Sequence, residues 1–227
     1  MTAAASAPAV VAVVSEGLFA EFFSAADAER LRAAAERLGG GFVRVDRLSD
    51  AELGAARIVL TSWGVGPFDA AVLASLPELA LIAHTGATIK PFATDELFDR
   101  GVLVTQAGAG MARSVAEVSL TFTLALLHRV PEMHDALRAG DGWHDAAAVG
   151  VQHEILGAPI AVIGASRTGR AYLELIRALG AEPLLVDPTI DAAAAAALGA
   201  ELLPSTTPSA VRRSSPCTPP HCRRPTT

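Results

Sequence analysis

Cysteine is scarce in this chain of 227 residues, and its two copies, Cys217 and Cys222, both lie in the last eleven positions. A body without cysteine excludes a disulfide framework and a cysteine-based metal cluster there. Lysine occurs once, as Lys90, so arginine carries nearly all the positive charge. Aromatics make up only 5% of the residues. No uncharged hydrophobic run reaches spanning length: Val115 to Val130 comes closest, and Glu117, Ser119, Thr121, Thr123 and His128 interrupt it. Met1 to Pro8 has no basic residue ahead of an apolar run, so a secretory signal is not expected and a cytoplasmic location is the default. The net charge of −6 hides an uneven spread. From Pro204 onward there are four Arg, six Pro and no acidic residue. The rest of the chain therefore holds 14 basic (18 less 4) against 24 acidic residues, a net −10. Such a body disfavours nucleic acid as a partner, and neither a membrane partner nor a bound metal is expected.

What the chain has in abundance is short apolar runs. Val10–Val14, Phe42–Val45, Ile58–Thr61, Leu79–His84 and Val102–Thr105 read as strands. Brief and unalternating, they suit a parallel sheet covered on both faces. Ala25–Arg37 reads as a helix stopped by the glycines at 39–41. Met111 to Val130 is helical and apolar on nearly every side, which predicts burial between layers. Pro131 marks a boundary, and Gly140 to Ala148 is loop-like. A second unit begins near Ile160, with a further strand at Glu182–Val186 and a short Ala-rich helix at Asp191–Leu198.

Residues 161 to 170, Ala-Val-Ile-Gly-Ala-Ser-Arg-Thr-Gly-Arg, carry the most chemistry. A strand enters a Gly-bearing turn, a helix follows, and the next strand ends in Asp187. That order suits a dinucleotide, with backbone N–H groups at a helix start for the pyrophosphate and a carboxylate for the ribose diol. The turn reads G-x-S-x-x-G, with Ser166 where the middle glycine is usual. The bland alternative is an ordinary strand–helix turn, with Asp187 capping a helix or opening a turn with Pro188. A hydrolase nucleophile elbow would need glycine at position 168, which is Thr. Glu117 reads as a satisfied polar group on a buried helix, Trp143 as a packing anchor, and His134, His144 and His153 as solvated. Cys217, His221 and Cys222 imitate a metal tract by coincidence.

Leu81-Ile-Ala-His-Thr-Gly-Ala, Arg100-Gly-Val-Leu-Val-Thr-Gln-Ala, Ser114-Val-Ala-Glu-Val-Ser-Leu, Gly142-Trp and Leu156-Gly157 precede the Gly164–Gly169 turn. In that order and spacing the chain resembles the D-isomer-specific 2-hydroxyacid dehydrogenases over roughly residues 8 to 203. The resemblance implies an α/β architecture: a flavodoxin-like substrate domain (1–108) and a truncated Rossmann NAD-binding domain (109–203) with an interdomain helix at 111–130. A disordered tail (204–227) would follow. It implies that Gly86 and Ala87 hold the substrate carboxylate, that Gly164, Ser166, Arg167, Thr168 and Gly169 hold the pyrophosphate, and that Asp187 selects NAD over NADP. Two places depart from the family pattern, Met111 near the cofactor and Ile89-Lys90-Pro91 after the glycine loop.

The implied reaction is hydride transfer between NAD(H) and a small 2-hydroxy or 2-keto acid, in a family whose intact members are expected to be homodimers. None of the family's catalytic Arg, acid and His positions is matched here, and neither His84 nor His128 stands in for them. The chain is therefore expected to be truncated and inactive. Reading Ser214 to Cys222 one base back permits Val-Val-Ser-Leu-His-Ala-Pro-Pro-Leu, so the tail is expected to be a frameshift product. The alternative is a non-catalytic NAD-binding or regulatory relative, or a non-functional fragment.

Overall fold

The computed structural model describes residues 7–50, 53–140, 142–148 and 150–205. The expected tail, with Cys217, His221 and Cys222, lies outside them from position 206 onward. The chain divides into two compact units, Met1–Met111 and Ala112–Thr227.

The first unit is built on five parallel strands: β1 (Pro8–Val13), β2 (Gly41–Val45), β3 (Ile58–Thr61), β4 (Leu81–His84) and β5 (Leu103–Gln106), in the order β2-β1-β3-β4-β5. This is the flavodoxin-like arrangement. β1 occupies the inside of the sheet, and Val10 to Val13 are all buried. Because successive side chains point to opposite faces, β1 is covered on both. β5 lies at an edge, where Leu103 is 69% exposed. Helices α1 (Glu16–Phe22), α2 (Ala25–Arg37), α3 (Ala70–Ala74) and α4 (Asp95–Asp99) fill the crossovers. α2 starts where Ser24 and Asp27 exchange side-chain and backbone hydrogen bonds in a capping box. Phe68 and Phe92 meet edge-on at 6.0 Å within a core that also holds Leu73, Leu76, Ile82 and Leu97.

α5 (Gly108–Leu127) begins at the end of the first unit and continues into the second. The expected burial of this helix is overturned. Val115, Val118, Phe122 and Leu126 are 44–68% exposed, and Glu117 pairs at the surface with Arg113 at 2.9 Å. By length and mean hydropathy (1.2) it is the one described helix able to cross a membrane. It also ends before the expected Val130, because Arg129 adopts a left-handed backbone (φ 55°). Pro131 does mark a boundary, the junction between this helix and the next. It lies in the first turn of α6 (Val130–Arg138), where its missing N–H costs nothing. Within the expected loop, Trp143–Ala147 forms a short helix, α7, on which Trp143 is 68% exposed and packs as no anchor.

The second unit's sheet has three parallel strands, β6 (Pro159–Ile163), β7 (Glu182–Val186) and β8 (Glu201–Leu202), in that order. Helices α8 (Arg167–Ala178) and α9 (Ala192–Ala197) connect them, and Asp191 caps α9 through the Ala194 N–H. Leu173, Ile176 and Leu185 anchor a small core otherwise made largely of alanine. Among the described residues β6 pairs only with β7, which leaves it at an edge with Ile163 87% exposed.

Candidate functional site: the turn between β6 and α8

Gly164 follows β6 at φ +93°, a left-handed backbone that favours glycine, and its N–H donates to the Val186 carbonyl on the neighbouring strand. Five residues on, a Cβ at Gly169 would stand 2.0 Å from the Gly164 carbonyl oxygen, so no larger residue fits the first turn of α8 as it stands. These two glycines are dictated by geometry. The middle position is not: Ser166 has φ −62° and ψ 176°, which any residue adopts. There the hydroxyl serves as the N-cap of α8, accepting from the Gly169 N–H at 3.3 Å. That accounts for serine in place of the usual glycine.

The turn presents a row of donors. Ala165 N–H is taken by Asp187, while Gly169 and Arg170 N–H go to Ser166. Ser166, Arg167 and Thr168 keep N–H groups that donate to nothing among the described residues. Free amides at the positive end of a twelve-residue helix attract an anion.

Asp187, at the end of β7, ties the arrangement together. One carboxylate oxygen accepts from Ala165 N–H at 2.6 Å, the other from Thr189 N–H at 2.8 Å and Thr189 Oγ1 at 2.6 Å. The Thr189 hydroxyl above all, then the Ala165 and Thr189 amides, and last Arg170, hold its pKa below the ordinary carboxylate value. The carboxylate is thus ionised and fixed beside the turn, with one acceptor position on Oδ2 left for a ribose hydroxyl. Asp187 also opens a local turn with Pro188 and Thr189, so the bland role and the binding role coexist in one residue. Arg170, on α8, donates from Nε to the Ala165 carbonyl at 2.8 Å and backs the same turn. Sequence reasoning passed over it, since an Arg on a helix face carries no spacing signal. The groups present fit a dinucleotide: amides for the phosphates and a carboxylate for the ribose.

A hollow of about 410 Å³ in this unit lies elsewhere, against Thr123, Leu127, Arg129, His153 and Ile160. The remaining candidate residues, Gly86 and Ala87, belong to the first unit and follow β4. Gly86 is buried and its carbonyl accepts from Ala107 N–H at 2.9 Å, whereas Ala87 is exposed. The Gly86 and Ala87 N–H groups donate to nothing among the described residues. The described residues hold no cluster of three or more His, Cys, Asp or Glu.

Fold and turn together define a nucleotide-binding α/β protein. Residues 120–212 match the model of the D-isomer specific 2-hydroxyacid dehydrogenase NAD binding domain. The match is to an NAD binding domain, and the groups of the turn suit that cofactor. The D-3-phosphoglycerate dehydrogenase of Mycobacterium bovis is 36% identical over 135 residues, 60% of this chain and 25% of that protein. The chain thus matches about a quarter of that relative's length. Among solved structures, a glyoxylate reductase from Paecilomyes thermophila superposes with a TM-score of 0.69 at 18% identity, covering 87% of this chain and 60% of that one. A D-lactate dehydrogenase from Aquifex aeolicus, complexed with NAD and lactic acid, superposes at 0.64 and 18% identity, over 87% and 55% of the two chains. At these identities the two structures speak to the fold.

Proposed function

We propose that the protein binds NAD at the Gly164–Gly169 turn and a small 2-hydroxy or 2-keto acid at the Gly86 loop, as part of an NAD-dependent oxidoreductase acting on a CH–OH group. The observation that carries this reading is the row of free amides at Ser166, Arg167 and Thr168 beside an ionised Asp187. When bound, NAD supplies the hydride acceptor. The described residues contribute binding and orientation. The turn's N–H groups take the pyrophosphate, Asp187 accepts from the ribose hydroxyls, and the Gly86 and Ala87 N–H groups take the acid's carboxylate. A cytoplasmic location belongs to the same reading.

The test is calorimetric binding of NAD and NADP to the full chain. A 2′-phosphate beside the Asp187 carboxylate is repelled, so NAD should bind at least about tenfold tighter. Asp187→Asn should narrow the gap. Equal affinities, unchanged in the variant, would remove Asp187 from the site.

Pairing of two copies through α5 accompanies this reading. Val115, Val118, Phe122 and Leu126, spaced three, four and four residues apart, make one exposed apolar stripe. Light scattering should report a dimer that Phe122→Lys converts to a monomer, and a monomeric parent chain would end the idea.

A further inference from the structure

Asp187 is surrounded more completely than a binding carboxylate needs to be. An ionised carboxyl group has about four acceptor positions, shared equally between its oxygens. Both positions on Oδ1 are filled by one residue, through the Thr189 N–H at 2.8 Å and the Thr189 hydroxyl at 2.6 Å. On Oδ2 one position is filled, by the Ala165 N–H at 2.6 Å. Three donors on about four positions leave one, and it lies on Oδ2. A diol that gripped the carboxylate with both hydroxyls would need a free position on each oxygen.

The carboxylate is held against turning from both sides. The Ala165 carbonyl accepts from Arg170 Nε at 2.8 Å, so the peptide unit that follows Ala165 is itself tied to α8. On the other side Pro188 fixes φ and brings no N–H, which makes Thr189 the first residue after Asp187 able to donate from its backbone. The Thr189 hydroxyl bond has the length of a charge-assisted one, and it stands first among the causes that keep Asp187 ionised. A ribose hydroxyl that displaced it would exchange one such bond for another and leave the Thr189 hydroxyl without its acceptor.

We propose that Thr189 is a specificity-determining residue: by saturating Oδ1 it makes Asp187 a one-hydroxyl acceptor, which takes the 2′-hydroxyl of the adenosine ribose on Oδ2 and leaves the 3′-hydroxyl unheld. This rests on the reading of Asp187 as the ribose acceptor and narrows it. Valine at 189 would remove the hydroxyl alone, keeping the branched side chain and the backbone N–H that shapes the local turn. One position on Oδ1 then opens, and the carboxylate can take both hydroxyls of the diol. Serine keeps the hydroxyl and with it the restriction.

Calorimetry on the full chain with NAD and its adenosine 2′-deoxy and 3′-deoxy analogues tests this. In the parent chain, removal of the 2′-hydroxyl should raise Kd about tenfold or more, and removal of the 3′-hydroxyl less than about threefold. Thr189→Val should make the 3′-hydroxyl count, with the 3′-deoxy analogue now about tenfold weaker than NAD, while Thr189→Ser should keep the parent pattern. A residue that merely shaped the loop would shift all three ligands together and leave their ratios alone, and that result overturns the proposal. So would equal losses from the two analogues in the parent chain. Three ligands of equal Kd, or no binding of NAD at all, would take Asp187 out of the ribose site and bring down the underlying reading with the proposal.

Discussion

The two units solve the burial problem unequally. Of the twelve largest fully buried side chains, nine lie in the first unit, Phe68 and Phe92 among them, and three in the second. The first encloses β1 on both faces. The second leaves β6 at an edge, with Ile163, Leu156 and Val151 each more than 70% exposed, and fills its core largely with alanine. Yet the second unit has the more tightly specified turn. Asp187, Ser166 and Arg170 hold the Gly164–Gly169 backbone by four directed hydrogen bonds, and Thr189 holds Asp187 by two more. Apolar burial scales with area and holds a fold, whereas directed polar contacts hold a geometry. This protein divides the two tasks between its units.

The division can be broken most forcefully in the first core. Phe68→Ala removes a fully buried ring and should cost about 3–5 kcal/mol, measured by denaturant titration in a Trp143→Phe background where Trp63 reports on its own unit. A loss below about 1 kcal/mol would show that this core is not where stability resides. Hydrogen exchange sharpens the contrast without mutation. Amides of Val10–Val13 should remain protected far longer than those of Ile160–Ile163, since an edge strand opens locally. Equal protection would merge the two units energetically. In the second unit, Ser166→Ala deletes the cap of α8 and should cost about 1 kcal/mol, with weaker NAD binding alongside.

Acidification gives the smallest effect and separates the units by pH. The His84 pKa is lowered by burial from the ordinary 6.5, so the unfolded chain takes up the proton first. Stability should fall as pH drops from 6.5 through the folded value, and His84→Gln should abolish that loss. Asp187 is lowered from 3.8, chiefly by Thr189 and Ala165. Its contribution is present above 3.8 and is lost only as pH falls below that, through the folded value. Thermal melts at stepped pH distinguish the two windows.

Much of this was legible in the residues, for reasons that differ by element. α2 and β7 run over the very spans that the sequence predicts. A capping box opens α2 and glycines close it, while β7 is an apolar run bounded by Gly180 and Pro188. The glycines of the turn and Asp187 were also visible, because their roles depend on order and spacing along the chain. The exposure of α5 was not. Hydropathy measures how apolar a helix is and is silent on what covers it. Trp143 misled for a related reason, since a large ring is an anchor only where something packs on it, whereas Pro131 stands at a helix junction as the sequence suggests.

The placement of β1 has a consequence during synthesis. β1 leaves the ribosome ahead of both its partners, β2 being complete at Val45 and β3 only at Thr61. At ordinary elongation rates the interval is roughly 2–10 s. Until then Val10 to Val13 can pair only on its β2 side, and its other edge is an apolar ribbon that is a natural target for a chaperone at the exit tunnel. A strand buried on both faces in the finished unit is thus one that waits in the open for its second neighbour.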